Sequence, residues 1–237
     1  MSHTISIIPA RGGSKGMPRK NVRPLAGKPL VAHSIESSLR ASLVDRTIVT
    51  TDDDEIAEVA RRWGGEVIMR PAELAADASP TEPCMIHAVQ EIERQGHAVD
   101  LVVLLQPTTP LRPVTLIDEC IRQLTRAHAD SVVTVCESHC FCWTRTESGA
   151  RATYDPVSRP RRQDADRRFI ENGNVYVTRR DVLLHEASRL AGKVEILEML
   201  PEDSVDIDSP FDLWLAGQIL THRATHAQGV WDLSTSG

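Results

Sequence analysis

The sequence has 237 residues, of which 41% are hydrophobic, and a formal net charge of −6. This length and composition suit one large α/β domain with a packed core, and we expect residues 1–237 to form a single domain. The negative balance excludes a general nucleic-acid-binding surface, and no apolar run is long enough to cross a membrane. Because no charged and apolar leader precedes the first predicted strand, we expect a cytoplasmic protein.

The first predicted strand leads into a loop that is rich in glycine and in cations. Residues 5–8 are apolar and mostly β-branched, as in a buried strand. The loop contains three glycines and the cations Arg11, Lys15, Arg19 and Lys20. Glycines let backbone N–H groups approach an anion, and the cations neutralise it. The P-loop and dinucleotide-binding patterns are both absent, so we predict a different polyphosphate-binding loop rather than a solvated basic turn.

Strand and helix patterns alternate along the rest of the chain, which predicts a three-layer α/β/α fold with a mostly parallel sheet. The continuous apolar run at 100–105 is typical of a strand covered on both faces. Other strands are predicted at 46–51, 66–69, 131–135 and 194–197, and after a turn within 169–177. Helices are predicted at 30–40 with Pro29 in the first turn, after residues 52–54, and at 83–94, 116–124 and 211–220.

Several polar residues stand where they could cap these helices. The acidic triplet at 52–54 could bind a metal ion, but we favour an N-cap with negative charge at the positive end of the helix dipole. Asp77 and Thr81 could cap the helix at 83–94 in the same way.

Asp206 and Asp208 form the second acidic feature. In an extended segment they would point to the same face, because strand side chains alternate with a period of two. Two carboxylates on one face repel each other unless a cation lies between them, and Mg²⁺ prefers such oxygen ligands. We therefore predict a magnesium site, the alternative being capping of the last helix by Asp208 or Ser209.

The region from about 137 to 168 has a weaker pattern, which we interpret as a small excursion with strands near 142–145 and 152–154. A basic cluster, RPRRQD, occupies residues 159–164, and arginine forks match carboxylate or phosphate oxygens. The odd number of cysteines favours reduced thiols. Cys136, His139, Cys140 and Cys142 lie close together, but no partner pair for a zinc site is evident.

Five segments resemble, in the same order, the motifs of the CMP-sialic acid synthetases (acylneuraminate cytidylyltransferases), a family of sugar nucleotidyltransferases. These segments are ARGGSKGMPRKN (10–21), RPAELA (70–75), LQPTTPLR (105–112), ENGNVY (171–176) and DSVDID (203–208). The resemblance implies a Rossmann-like nucleotidyltransferase fold and transfer of CMP from CTP to an acidic acceptor, with Mg²⁺ as the cofactor. It also implies a homodimer in which the excursion at 137–168 is the arm.

The loop chemistry and the resemblance together assign candidate residues to each step. The catalytic candidates are Arg11, Lys15, Lys20 and Asp208, and the metal ligands are Asp206 and Asp208. The nucleotide-binding candidates are Ala10, Arg11, Gly12, Gly13, Ser14, Lys15, Asn21, Arg70, Ser79 and Thr81. The acceptor-binding candidates are Gln106, Thr108, Thr109, Arg161, Arg162, Asn172 and Gly173.

The acceptor itself stays open at this stage. A nonulosonic acid of the sialic type fits the motifs best, but Ile170 stands where some bacterial sialic acid synthetases have an arginine suited to the sugar carboxylate. Kdo or a small phosphonate is therefore an alternative acceptor. A non-catalytic nucleotide-binding regulator is an alternative of another class, although it would have no need of Asp206 and Asp208.

Overall fold

The computed structural model describes residues 3–13, 16–76, 79–159 and 161–225. The strands are β1 (Thr4–Pro9), β2 (Pro24–Leu25), β3 (Lys28–Pro29), β4 (Arg46–Thr51), β5 (Glu66–Met69), β6 (Leu101–Leu105), β7 (Ser131–Ser138), β8 (Trp143–Thr146), β9 (Gly149–Ala152), β10 (Arg168–Arg179) and β11 (Val194–Met199). The α-helices are α1 (Leu30–Arg40), α2 (Asp54–Arg62), α3 (Thr81–Arg94), α4 (Leu116–Arg126), α5 (Arg180–Glu186) and α6 (Pro210–Thr225).

The central sheet has the strand order β11-β7-β10-β6-β1-β4-β5 within the described residues. β1 is parallel to β4 and β6, β4 to β5, and β11 to β7. Only β10, among the described strands of this sheet, runs antiparallel to its neighbours β6 and β7. The predicted mostly parallel α/β fold is therefore confirmed.

Helices cover both faces of the sheet. On one face α1, α2 and α4 pack through residues such as Ile35, Ile56 and Leu124. On the other face α3 and α5 contribute Met85, Ile92 and Leu183. The strands at the sheet centre are thus covered by apolar side chains on both faces. This burial explains why β6 is an uninterrupted apolar run.

A third, smaller core lies beside the carboxyl edge of the sheet. It joins Met17 and Leu25 near the first loop to Leu111, Ile207 and the inner side of α6. Because Ile207 lies between the two predicted metal ligands, its complete burial fixes the course of that segment. This small core therefore connects the N-terminal loop to the C-terminal acidic segment.

Among the local predictions near helix ends, those for Pro29 and Thr81 are corrected by the structure and that for the acidic triplet is confirmed. Pro29 lies in the short hairpin of β2 and β3 and precedes α1, instead of forming its first turn. Thr81 is the first residue of α3 and makes no capping hydrogen bond, because Pro80 occupies the N-cap; Asp77 lies outside the described residues. Asp53 caps α2 by accepting a hydrogen bond from the Ile56 amide, as the favoured interpretation of the triplet required.

The start of α6 confirms Ser209, and not Asp208, as the capping residue. The Ser209 hydroxyl oxygen accepts a hydrogen bond from the Asp212 amide at 3.3 Å. The Asp212 carboxylate in turn accepts hydrogen bonds from the Ser209 amide at 2.7 Å and from the Asp208 amide at 3.1 Å. This reciprocal capping box leaves the Asp208 carboxylate available to the cavity.

The turn predicted before the strand at 169–177 is wrong, since β10 runs unbroken through this region. Its pairing with β7 shifts register between Glu171 and Tyr176, and Gly173 has a φ of 69°. A bulge of this kind bends a strand and redirects its side chains without ending it. In the excursion, the strand predicted near 142–145 is β8, whereas the one predicted near 152–154 is replaced by β9, which ends at Ala152 and pairs with β8 as a hairpin.

We expect the sheet centre to carry most of the fold's stability. Leu104 of β6 is fully buried, so Leu104→Ala should lower the free energy of unfolding by about 2–5 kcal/mol. Leu39→Ala removes the same atoms from a side chain that is 52% exposed, and should cost less than about 1 kcal/mol. Urea denaturation of both variants measures the difference, and equal losses would contradict this assignment of the core.

Candidate active site

A cavity of about 420 Å³ opens at the carboxyl ends of β1 and β6. The chain proceeds from β1 to β4 and β5 on one side and then returns to β6 on the other side, so these two strands flank the topological switch point. Ligands of open α/β sheets bind at this position. The candidates that line the cavity are Arg11, Lys20, Asn21, Arg70, Ser79, Thr81, Gln106, Thr108, Asp206 and Asp208.

The phosphate-binding loop is held in place by backbone contacts on both sides. The Ala10 amide donates to the Thr50 carbonyl oxygen at 3.0 Å, and the Asn21 side-chain amide donates to the Arg11 carbonyl oxygen at 2.9 Å. Asn21 is buried, so its hydrogen bond fixes the loop from beneath. It also lines the cavity, which leaves a direct role toward the nucleotide open.

The side chain of Asp53, in the turn between β4 and α2, leaves no space for a Cβ atom at Gly12. A Cβ atom at this position would lie 2.5 Å from the Asp53 carboxylate oxygen. The sequence predicted that a glycine here would let a bound anion approach the backbone. In the structure the group that lies close to Gly12 is the Asp53 carboxylate of the protein itself. Gly13 is exposed and has no atom within 4 Å of such a Cβ position. Ser14 and Lys15 lie outside the described residues.

Lys20 lies where the loop meets the acidic segment. Its ammonium group donates to the Ile207 carbonyl oxygen at 2.7 Å and pairs with the Asp208 carboxylate at 3.1 Å. Both partners are almost the whole chain away in sequence, yet Lys20 and Asp208 line the same cavity. The structure thus brings together two of the predicted catalytic residues.

The opposite end of the cavity contains Arg70. Its side chain is only 4% exposed, and its Nε atom is buried without a hydrogen-bond partner in the described structure. Ser79 is oriented by a hydrogen bond from its hydroxyl to the Glu73 carbonyl oxygen at 2.8 Å. Cys84, which sequence analysis did not select, also lines this end, and burial raises the pKa of its thiol.

A second cavity, of about 510 Å³, adjoins the first. Gln106 and Asp206 line both cavities, so these two residues mark the boundary. Asn172 and Gly173 line the second cavity, and a Cβ at Gly173 would lie 2.6 Å from the Gln106 amide oxygen. The bulge in β10 therefore allows Gln106 to reach this boundary.

Two acceptor-side candidates have their polar atoms engaged within the protein. Thr109 is fully buried and donates to the carbonyl oxygens of Gln106 and Gly173, and it lines neither cavity. The side-chain oxygen of Asn172, Oδ1, accepts from the Thr134 hydroxyl at 2.8 Å, while its side-chain nitrogen, Nδ2, donates to the Ser204 hydroxyl at 3.0 Å. Both residues thus support the shape of the boundary.

Arg112 is a site-supporting residue whose role the sequence motif did not reveal. It is buried, and its guanidinium donates to the carbonyl oxygens of Gln106 and Asn174 and to the hydroxyl of Ser34. Burial lowers the pKa of Arg112, and these oxygen acceptors compensate for the lost hydration. The arginine joins the loop after β6 to the bulge in β10.

Asp206 and Asp208 fit the chemistry of a magnesium site. Enclosure by the cavity walls raises the pKa of Asp206, and the nearby Asp208 carboxylate raises it further, whereas Thr108 and Lys20 oppose the shift. The two carboxylates therefore repel each other, as predicted. No group of three or more His, Cys, Asp or Glu residues in the described ranges could hold a metal. Mg²⁺ is commonly held by one or two carboxylates together with substrate phosphates, which matches this pair.

The basic cluster is not brought into the two cavities. Arg161 is exposed, forms an ion pair with Asp164 at 2.7 Å, and lines neither cavity. The side chain of Arg162 lies outside the described structure. Within the described ranges, Cys136, His139, Cys140 and Cys142 do not form a group of three or more metal ligands, and Cys140 and Cys142 are exposed free thiols.

Residues 5–200 match the family model described as "Cytidylyltransferase". The chain belongs to the cytidylyltransferase family. It is 35% identical over 221 residues to N-acylneuraminate cytidylyltransferase A of Danio rerio, an alignment that covers 91% of this chain and 50% of that protein. It is 32% identical over 215 residues to N-acylneuraminate cytidylyltransferase of Streptococcus agalactiae serotype III, which covers 88% of this chain and 51% of that protein. The predicted resemblance is thus confirmed, and the chain spans about half the length of these relatives.

Solved structures support the fold assignment. A CMP:2-keto-3-deoxy-manno-octonic acid synthetase complexed with CTP superimposes with a TM-score of 0.72 at 19% identity, covering 93% of this chain and 99% of the other. A 4-diphosphocytidyl-2C-methyl-D-erythritol synthase from Anaerococcus prevotii gives 0.66 at 14% identity, covering 93% and 96%. In the part of the chain that the structure describes, no helix has the length and hydropathy needed to span a membrane.

The raised pKa of Asp206 predicts a pH-dependent cost to stability. At low pH the carboxyl is protonated in both the folded and unfolded chains. As pH rises, the unfolded chain releases this proton first, so stability is lost between the usual aspartate pKa and the raised one. Asp206→Asn should therefore be more stable than the unaltered protein at pH 7 without divalent cations, with no gain near pH 3.

Urea unfolding of both proteins across this pH range measures the effect. The asparagine amide can keep a hydrogen bond with Thr108, which limits the change to the charge. Equal stability differences at pH 3 and pH 7 would contradict repulsion between the two carboxylates.

Proposed function

We propose that this chain transfers CMP from CTP to a hydroxyl group of a nonulosonic, sialic-type sugar acid and releases pyrophosphate. The observation that carries this proposal is the pair of adjoining cavities that meet at Gln106 and Asp206. The first contains cations and a buried arginine suited to a nucleoside triphosphate, and the second has room for an acceptor. The names of the curated relatives support the same reaction.

On the nucleotide side, the triphosphate would bind along the first loop and the base near Arg70. Arg11, Lys15 and Lys20 would neutralise the phosphates, while the amides of Ala10 and Gly12 remain bonded to the Thr50 carbonyl oxygen and the Asp52 carboxylate and hold the loop in place. Asn21, Ser79 and Thr81 would contact the base and ribose. The unpartnered Nε of Arg70 is a buried donor that a cytosine acceptor atom would satisfy.

The transfer step needs the acceptor oxygen in line with the α-phosphorus. The new bond joins that oxygen to the α-phosphorus, the bond from the α-phosphorus to the bridging oxygen breaks so that pyrophosphate departs, and the hydroxyl proton passes to solvent water. Lys20 would stabilise the charge that develops on the phosphate groups. Asp206 and Asp208 would hold Mg²⁺, which when bound supplies positive charge at the phosphates. Asp206, at the boundary of the two cavities, is placed to organise both substrates.

The chemistry of the second cavity favours a sugar over a compact dianion such as a phosphonate. Its described lining includes Glu137 and Glu171 and contains neither lysine nor arginine. Carboxylates accept hydrogen bonds from hydroxyl and amine groups but repel a small dianion. Gln106, Thr108, Thr109, Asn172 and Gly173 would shape this side, and Arg161 or Arg162 would have to approach to contact the acceptor carboxylate.

We also propose that the chain acts as a homodimer through the excursion. The hairpin of β8 and β9 pairs with no strand of the central sheet among the described residues, and Trp143 on it is exposed. An exposed aromatic side chain on a protruding hairpin is typical of a contact surface.

Pyrophosphate release with CTP, Mg²⁺ and separate acidic acceptors tests the reaction. We expect release with a nonulosonic acid, and little with Kdo or small phosphonates. Release only with Kdo or a phosphonate would contradict the proposed acceptor while leaving the transfer chemistry intact. Tight CTP binding without release from any acceptor would instead favour a nucleotide-binding regulator.

Single substitutions test the assigned charges. Asp208→Ala and Lys15→Ala should each lower kcat/KM by roughly a hundredfold or more, because the first would remove a carboxylate ligand of Mg²⁺ and the second a cation that neutralises the phosphates. Asp181→Ala is the matched control, since Asp181 in α5 is as exposed as Asp208 and pairs only with Arg180 in the described structure. Unchanged turnover in both active-site variants, with thermal melting as the check on folding, would contradict these roles.

A further inference from the structure

Asp52 connects the first loop to Arg70 without lining the cavity itself. It follows β4, and its side chain is 27% exposed. One carboxylate oxygen, Oδ1, accepts a hydrogen bond from the Gly12 amide at 3.2 Å and lies 3.6 Å from a terminal nitrogen of Arg70. A single atom therefore contacts both the phosphate-binding loop and the buried arginine.

The Asp52 carboxylate balances the positive charge of the buried Arg70 guanidinium. Asp52 is the one carboxylate that pairs with Arg70 among the described residues. On the other side, Arg70 interacts with the neutral thiol of Cys84, whose pKa is raised by burial. Removing the partner of a buried charge destabilises its position, because no other group compensates for the lost hydration. The guanidinium would then shift toward water and away from the base.

The backbone around Asp52 sets the same two loops. The Ala10 amide donates to the Thr50 carbonyl oxygen, and the Arg70 amide donates to the Thr51 carbonyl oxygen at 2.8 Å. The carboxyl end of β4 thus fixes where the phosphate-binding loop and the Arg70 loop begin. The Asp52 side chain adds a hydrogen bond to the first of these loops and an ion pair to the second.

We propose that Asp52 is a positioning residue that holds Arg70 and Gly12 in a fixed relation, so that the base and the triphosphate are recognised together. The inference rests on the proposed function, since it takes CTP as the nucleotide. An arginine donor matches the acceptor N3 of cytosine but meets an N–H donor at the same position of uracil. Discrimination of CTP from UTP therefore reports how well Arg70 is held.

Asp52→Asn and Asp52→Ala separate the two contacts of this residue. The asparagine amide oxygen still accepts from Gly12 but loses the charge that holds Arg70. In Asp52→Asn we expect the preference for CTP over UTP to fall by about five- to tenfold, because the affinity for CTP falls more than the affinity for UTP. Asp52→Ala loses both contacts, so the affinities for both nucleotides should fall as well. Calorimetric titration with each nucleotide in the presence of Mg²⁺ measures these values.

Asp54→Asn is the control. Asp54 is an exposed carboxylate two residues after Asp52, so this change removes the same charge nearby. Its CTP preference should equal that of the unaltered protein. In an Arg70→Gln background, Asp52→Asn should cause no further loss of preference, since the residue that it positions is gone. A merely structural role would lower thermal stability without this dependence on Arg70.

The outcomes distinguish the inference from the proposed function. If the unaltered protein prefers CTP and Asp52→Asn keeps the full preference, the positioning role is wrong and the function stands. If the unaltered protein binds CTP and UTP equally, the proposed cytidine specificity is wrong and the role of Asp52 with it. Equal effects of Asp52→Asn in the presence and absence of Arg70 would also overturn the inference.

Discussion

The ammonium group of Lys20 joins parts of the chain that are 187 residues apart, and the candidate site depends on this contact. It binds the Ile207 carbonyl oxygen and the Asp208 carboxylate, while the Ile207 amide donates to the Thr108 carbonyl oxygen at 2.8 Å. Three loops are thereby held around one cavity. The small apolar core that contains Met17 and Ile207 supports the same arrangement from beneath.

Some residues of the site line the cavity, and others hold those residues in place. Arg11, Lys20 and Arg70 line the first cavity and provide charge. Buried groups behind them, such as Arg112 and Thr109, connect backbone carbonyl groups of the loop after β6 and the bulge of β10. This arrangement keeps charged groups ready in the cavity at little cost in reorganisation when a substrate binds.

The sequence predicted most of the regular structure and that Asp206 and Asp208 would lie together, because these features follow from local patterns. The burial of β6 is visible in its composition, and Asp206 and Asp208 show their shared face through spacing alone. The roles of Arg112 and Asn172 could not be predicted, since their partners lie far away in sequence. The β10 bulge was mistaken for a turn because a glycine with positive φ occurs in both.

A crystal structure of the protein with CTP and Mg²⁺ tests the central claim most directly. The account predicts cytosine against Arg70, with the triphosphate along the first loop and between Arg11 and Lys20. It also predicts an α-phosphate that faces Asp206, where the two cavities meet. A nucleotide bound in the reverse orientation, or outside this cavity, would contradict the account.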